Sequence, residues 1–179
     1  MTALLVAATK AEAAHLPDLP LVICGIGKTA AASAVARALA ETPGITRVVN
    51  VGTAGALRAG MSGLFLPGRV FNHEISADAL RVLGYDPFEW LEADGDPDIA
   101  LASGDVFVTD PAVRDRLASV AHLVDMEGYA VAWACRTYDV PLTLVKHVSD
   151  SADESAMEWL DVVDASARVL GDWVRANVD

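Results

Sequence analysis

The 179-residue sequence has little of three features that would each point to a class of protein. Its two cysteines are too few for a disulfide framework or a cysteine metal cage, so we expect a reducing, cytoplasmic setting. No apolar run approaches the about 20 residues that a membrane-spanning helix needs, and we expect no membrane partner. The 13 basic residues are outnumbered by 25 acidic ones, giving a formal net charge of -12. This acidic balance argues against binding nucleic acid through its phosphates.

Apolar residues, by contrast, are plentiful and make up 53% of the chain. A sequence this apolar is not disordered, and a chain of this length can bury roughly 70% of its unfolded surface. We therefore predict one domain over residues 1–179.

Short apolar runs alternate with helical stretches that are rich in small residues. We predict strands at residues 3–8, 21–25, 47–51, 99–102, 122–124 and 142–148. We predict helices at residues 28–41, 127–138 and 155–178, a helix begun by the Asp110–Pro111 pair, and a short helix opened by residues 9–12. We expect loops at residues 52–56 and 86–98 and a hairpin-like strand pair over residues 63–76. This alternation predicts an α/β fold, a three-layer α/β/α sandwich around a mixed, mainly parallel sheet.

The glycine-rich segment at residues 25–29 (GIGKT) resembles two phosphate-binding motifs. A Walker A loop needs a further glycine where this sequence has Val22, so that interpretation fails. The segment also fits a weak dinucleotide-binding fingerprint, but the following strand ends in Asn50 and Val51 without an acidic residue to hold a ribose. We favour a tight turn between a strand and a helix.

Polar residues follow four of the predicted strands. They are Glu12, the segment 52–55, the segment 124–128 and the segment 149–153. If these strands are parallel, all four groups converge on one edge of the sheet, where open α/β sheets build their sites.

These segments also resemble a known family. Asp125-Met126-Glu127-Gly128, with Asp150 located 23 positions after Glu127, is similar to the nucleoside phosphorylase and nucleosidase family. The similarity is greatest to its methylthioadenosine/S-adenosylhomocysteine nucleosidase branch, and a futalosine-cleaving branch is also close. Glu12 and residues 25–28, 50–55 and 103–108 agree in order. The resemblance implies a nucleoside phosphorylase-like fold and cleavage of the N-glycosidic bond of a purine nucleoside, without a metal or a cofactor.

The resemblance also implies a role for each carboxylate. Cleavage leaves cationic character on the ribose and negative charge on the departing base. Asp150, oriented by Ser149, would protonate the base, and such general-acid help is worth about 10² to 10⁴ in rate. Glu127 would accept hydrogen bonds from the ribose hydroxyls, with Met126 packed against the sugar. Glu12 would activate the attacking water from the opposite face, as paired carboxylates divide roles in glycoside hydrolysis.

Three further residues complete the implied substrate site. Phe107 would stack on the base, and backbone groups of Val108 would read the edge of the base. Thr53 would lie near the nucleophile.

Each of these residues also has an ordinary structural interpretation. Thr9 and Glu12 fit a helix capping box. Glu127 suits the first turn of a helix, Asp150 could cap a turn, and Phe107 could belong to the core. The coincidence of all of them with one family pattern favours the functional interpretation.

The nucleophile in such a site is either water or phosphate. A phosphate site needs arginines or clustered amides, and residues 52–55 contain no arginine. Glu12 would lie where the anion must bind, and like charges about 4 Å apart cost ~4 kcal/mol at an effective dielectric of 20. We therefore expect a hydrolase. A phosphate-dependent phosphorylase and a non-catalytic nucleoside- or dinucleotide-binding module are the alternatives.

The sequence also departs from the family pattern. The chain is shorter than typical nucleosidases, Lys146 occupies a place where arginine is usual, and Tyr129 occupies one where a smaller residue is usual. The base and the 5′ substituent therefore stay open. The resemblance further suggests a homodimer or larger homo-oligomer.

Overall fold

The computed structural model describes residues 2–178 of the chain, leaving out the side chains at positions 155, 158 and 161. In these residues the strands are β1 (Thr2–Ala7), β2 (Leu21–Ile23), β3 (Ile45–Ala56), β4 (Leu64–Phe65), β5 (Pro67–Asn72), β6 (Trp90–Glu92), β7 (Asp96–Ser103), β8 (Leu123–Asp125) and β9 (Leu142–Asp150). The helices are α1 (Lys28–Glu41), α2 (Ala77–Val82), α3 (Pro111–Ala118), α4 (Gly128–Thr137) and α5 (Trp159–Asn177), with a 3₁₀ turn (Glu154–Glu158) directly before α5.

The strands form one mixed sheet whose central path is β2-β1-β3-β8-β7-β5-β6. The long strand β3 also pairs with β9, which in turn pairs with β4. Five pairings are parallel, namely β1 with β2, β1 with β3, β3 with β9, β5 with β7, and β7 with β8. The three antiparallel pairings are β3 with β8, β4 with β9, and β5 with β6. The prediction of a mixed, mainly parallel sheet is confirmed.

Helices cover both faces of this sheet because the central strands are apolar on both sides. In β1, Leu4 and Val6 pack with the buried residues of α1 and α4. The alternate residue Leu5 packs on the other face with Leu170 and Val174 of α5. Alternation with a period of two is the geometry of a strand, and it places one helical layer on each face. The three-layer α/β/α sandwich is confirmed.

Helix α1 has its predicted limits, and α3 begins at its predicted start. Helix α1 spans Lys28–Glu41, as predicted, and buries Ala31, Val35 and Leu39, which are spaced by one helical turn. Helix α3 begins at Pro111, and the Asp110 carboxylate accepts a hydrogen bond of 2.8 Å from the amide of Ala112.

Two predicted elements on the site side of the sheet are wrong. Residues 52–56 are not a loop but the last part of β3, because Gly52 and Thr53 pair with Lys146 and His147 of β9. Residues 9–12 do not open a helix; they form turns that lead away from β1.

The middle of the chain also differs from the prediction. Strands β4 and β5 do not pair with each other, since β4 pairs with β9 while β5 pairs with β6 and β7. The predicted loop over residues 86–98 contains β6 and the start of β7, and helix α2 was not predicted. Turn residues dominate the local signal there, and pairing with distant strands overrides it.

Candidate active site

A cavity of about 300 Å³ lies where β1, β8 and β9 end and the last part of β3 passes. All the site residues predicted from the sequence line it: Glu12, Thr53, Phe107, Val108, Met126, Glu127, Ser149 and Asp150. The sequence analysis missed four larger lining residues: Ile26, Met157, Trp159 and Leu160. Ile26 belongs to the glycine-rich turn, and the other three lie at or just before the start of α5, so their place in the site depends on tertiary packing.

The Glu12 carboxylate is buried and receives four hydrogen bonds. Its Oε1 accepts from the amide and the hydroxyl of Thr53, at 2.8 and 3.0 Å. Its Oε2 accepts from the amide and the hydroxyl of Thr9, at 3.1 and 3.0 Å. The Glu12 amide donates back to the Thr9 hydroxyl over 3.2 Å, which completes a reciprocal capping-box arrangement. The hydrogen bonds between Glu12 and Thr9 therefore agree with the capping-box interpretation. The other carboxylate oxygen, Oε1, orders Thr53 at the cavity wall.

Trp159 extends this network to helix α5. Its indole Nε1 donates a hydrogen bond of 2.8 Å to the Thr53 hydroxyl. Because an indole N–H is only a donor, the Thr53 oxygen accepts this bond and directs its own proton to Glu12. The first residue of α5 therefore orients the Thr53 hydroxyl beside Glu12 in the cavity wall.

Glu127 lies on a second side of the cavity, at the start of α4. The amide of Gly27 donates to its Oε1 over 2.8 Å. Burial, together with the negative charge of Asp125, raises the pKa of Glu127 from 4.5 to about 7. A buried carboxylate with a spare oxygen is suited to accept hydrogen bonds from ligand hydroxyls.

A buried ion pair lies beneath Glu127. The Lys146 Nζ is 2.8 Å from Oδ2 of Asp125, and both side chains are almost fully enclosed. Asp125 also accepts hydrogen bonds from the Ser103 hydroxyl and from the amide of Gly128. Burial opposes the ammonium charge, but the carboxylates of Asp125, Glu127 and Glu12 together outweigh this and raise the pKa of Lys146. Lys146, which occupies a place where the family pattern has arginine, therefore supports the cavity floor and does not line the cavity.

Asp150 occupies a third side, at the end of β9. The Ser149 hydroxyl donates to its Oδ2 over 2.7 Å, and the amide of Ala152 donates to its Oδ1 over 2.8 Å. A Cβ atom at Gly55 would lie 2.9 Å from Oδ1, so the absence of a side chain there leaves room for the carboxylate. Oδ1 of Asp150 thus caps the turn after β9, as the sequence position suggested. The Ser149 hydroxyl holds the other oxygen, Oδ2.

Phe107 and Val108 contribute apolar surface to the same cavity. The Phe107 side chain is 47% exposed although it lines the cavity, so it is not an ordinary core residue. Val108 is buried, and within residues 2–178 neither its amide nor its carbonyl has a hydrogen-bond partner. A flat ring beside free backbone donor and acceptor groups suits a planar heterocycle.

The cavity is acidic. Four carboxylates line it, from Glu12, Asp125, Glu127 and Asp150, and the lining residues that the structure describes include no lysine, arginine or histidine. Such a cavity favours positive charge on a bound molecule and disfavours anions.

Among residues 2–178, leaving out the side chains at positions 155, 158 and 161, no group of three or more His, Cys, Asp or Glu side chains is arranged to hold a metal ion. Among the same residues, no helix is long and apolar enough to cross a membrane.

Comparison with known proteins gives consistent matches. Residues 99–178 match the family model of the Phosphorylase superfamily. An aminodeoxyfutalosine nucleosidase of Helicobacter pylori is 29% identical over 160 residues, which cover 76% of this chain and 70% of the relative. A 5′-methylthioadenosine/S-adenosylhomocysteine nucleosidase of Glaesserella parasuis is 29% identical over 164 residues, covering 78% and 70%.

The fold is also that of a solved nucleosidase. A structure of the 5′-methylthioadenosine/S-adenosylhomocysteine nucleosidase from S. pneumoniae, bound to a transition-state inhibitor, superimposes with a TM-score of 0.83 at 23% sequence identity. The superposition covers 98% of this chain and 97% of that one. Sequence and fold together thus confirm that the chain resembles the nucleoside phosphorylase and nucleosidase family. The relatives that it matches are methylthioadenosine/S-adenosylhomocysteine and aminodeoxyfutalosine nucleosidases.

Proposed function

We propose that this protein is a purine nucleosidase that hydrolyses the N-glycosidic bond of a 5′-modified nucleoside such as methylthioadenosine, S-adenosylhomocysteine or futalosine. The observation that carries the proposal is that Glu12, Glu127 and Asp150 line one cavity together with the ring of Phe107. The relatives named above are nucleosidases of such compounds, which supports this choice of substrate class.

Asp150 serves the departing base. As the bond between the sugar and the base breaks, its electron pair moves to the base, and Asp150 supplies a proton to a base nitrogen. The Ser149 hydrogen bond to Oδ2 holds the carboxyl in place, and Phe107 stacks on the base. The free backbone groups of Val108 bind the edge of the base.

Glu127 serves the sugar. Its buried carboxylate accepts hydrogen bonds from ribose hydroxyls, and Met126 packs against the ring. As the bond breaks, positive charge develops on the ribose, and the acidic lining of the cavity stabilises that charge.

Glu12 serves the nucleophile. A water oxygen forms a bond to the anomeric carbon while the water loses a proton to Glu12, so the products are the free base and the free sugar. The four hydrogen bonds to Glu12 hold its carboxylate in one orientation, and Thr53 fixes the side that faces the cavity.

Water suits this cavity better than phosphate does. A phosphate dianion would meet several carboxylates and no basic side chain among the described lining residues. Incubation with a panel of purine nucleosides in phosphate-free buffer should release free base and a reducing sugar. Release of base that requires phosphate and produces a sugar 1-phosphate would instead identify a phosphorylase, and binding without turnover would identify a binding module.

We also propose that the chain acts as one domain, in the cytoplasm and as a homodimer or larger homo-oligomer. Both cysteines, Cys24 and Cys135, are buried free thiols, which suits a reducing compartment. Residues 2–178 of the proposed 1–179 domain are described, and the two end residues lie outside that range. Light scattering after size-exclusion chromatography will give the size of the assembly.

A further inference from the structure

The loop at residues 104–108, which carries Phe107 and Val108, is held by a side chain from outside the cavity. The Glu74 carboxylate accepts a hydrogen bond of 2.8 Å from the Asp105 amide on Oε2. It accepts a second bond of 3.1 Å from the Val106 amide on Oε1. The loop belongs to no strand or helix of residues 2–178. These two bonds therefore satisfy backbone amides that pairing would satisfy in a strand.

Lys28 links Glu74 to the glycine-rich turn. Its Nζ donates to the Glu74 carboxylate and, over 2.9 Å, to Oδ1 of Asn72. Its backbone amide donates to Oδ1 of Asp105 over 2.7 Å. The Lys28 and Glu74 side chains are 18% and 27% exposed, so the pair is partly shielded from solvent. Burial acts against the charge of Glu74, but the hydrogen bonds from Lys28 and Asp105 lower its pKa overall.

The residue before Lys28 touches the sugar side of the site. The Gly27 amide donates to Glu127, and Gly27 has a φ of +92° that favours glycine. A Cβ atom there would lie 3.0 Å from Oδ1 of Asp105. Two consecutive residues of one turn therefore contact the proposed ribose-binding carboxylate and the proposed base-binding loop.

We propose that Lys28 and Glu74 are positioning residues for base recognition, acting through the backbone of residues 105 and 106 on the placement of Phe107 and Val108. The proposal rests on the proposed function, because it assigns the loop to the purine. It gives the GIGK segment a role that does not require phosphate binding. Glu74 forms no hydrogen bond with Glu12 or Asp150. Replacing Glu74 should therefore weaken binding of the base more than it slows bond cleavage.

The kinetic test compares Glu74→Gln and Lys28→Met with Asp172→Asn, which removes a surface carboxylate paired with Arg175 on α5. We expect the KM for the nucleoside and the Kd of the free purine base to rise by about five- to twentyfold in the first two variants, with kcat changed by less than about threefold. Lys28→Arg should restore much of the affinity, and the Asp172 variant should match the wild type. A fall in kcat at constant KM, or kinetics like those of the control, would overturn the proposal.

A second measurement does not depend on activity. Amide hydrogen exchange at Asp105 and Val106 should be at least tenfold faster in Glu74→Gln than in the wild type, while the core amides of β1 keep their protection. Unchanged exchange at these two amides overturns the positioning role, even if the wild type hydrolyses nucleosides. Faster exchange in a protein that neither binds nor cleaves purines would keep the link to the loop and refute the proposed function.

Discussion

The indole Nε1 of Trp159 and the hydroxyl of Thr53 are joined by a hydrogen bond of 2.8 Å, although 106 positions separate them in sequence. The same hydroxyl lies 3.0 Å from Oε1 of Glu12. The C-terminal helix is therefore a part of the cavity wall beside Glu12, and the indole sets the direction in which the Thr53 proton points.

Replacing Trp159 with Phe tests this link while it keeps an aromatic ring. Losing one neutral hydrogen bond, worth about 1 kcal/mol, should lower kcat by about three- to tenfold, because the Thr53 hydroxyl can then rotate away from Glu12. Steady-state kinetics will measure the change. Trp173→Phe, on the same helix but outside the cavity lining, serves as the control and should leave kcat unchanged. Equal losses in both variants would assign the effect to helix packing.

Replacing Asp150 with Asn tests the proposed general acid. The amide keeps the shape of the side chain but is a far weaker acid, so hydrolysis should slow by at least about a hundredfold while nucleoside binding is retained. Single-turnover rates and equilibrium binding will separate the two effects. Ser149→Ala, which removes only the orienting hydrogen bond, should cost about tenfold or less. An Asp150→Asn variant as active as the wild type would remove Asp150 from the mechanism.

The raised pKa of Glu127 predicts how the stability of the protein depends on pH. Between pH 4.5 and about 7 the folded protein keeps this proton, whereas the unfolded chain loses it. The contribution of Glu127 is thus fully present below pH 4.5 and is lost as pH rises through about 7. At 1.36 kcal/mol per pKa unit the loss amounts to at most roughly 3 kcal/mol.

A Glu127→Gln variant isolates this contribution, because glutamine cannot ionise and its oxygen can still accept from Gly27. Urea unfolding at several pH values should show the wild type losing stability relative to the variant between pH 4.5 and 7. Parallel pH profiles for the two proteins would contradict the assignment.

Replacing Lys146 with Met tests the buried ion pair under the cavity. The substitution leaves the Asp125 carboxylate without its cation in an enclosed position, which should reduce the free energy of unfolding by about 3–5 kcal/mol. Adding Asp125→Asn removes the orphaned charge and should recover much of the loss in chemical denaturation. A double variant as unstable as the single one would show that Lys146 stabilises the fold by packing alone.

Local signals in the sequence were sufficient for several elements. The alanine-rich run of α1 and the Asp110–Pro111 start of α3 lie within one or two residues of their predicted limits. Capping and helix periodicity depend on residues a few positions apart, so they can be read from the chain itself. The part of β3 after Val51 could not be read in this way, because its small residues are extended through pairing with two distant strands, β9 and, at Gly55 and Ala56, β8.

Some features of the candidate site could likewise be predicted from the sequence, and others depend on tertiary packing. The sequence by itself determined which acids follow which apolar runs. Strands β1 and β9 are parallel to β3, but β8, which precedes Glu127, pairs with β3 in the antiparallel sense, so the sheet as folded brings Glu12, Glu127 and Asp150 to one cavity. Only the tertiary structure decided that Trp159 orients Thr53, that Lys146 lies below the floor against Asp125, and that Glu74 holds the Phe107 loop. The succession of apolar runs and polar residues is a short-range pattern of the sequence, whereas these three contacts join side chains whose distance and burial exist only after the chain has packed.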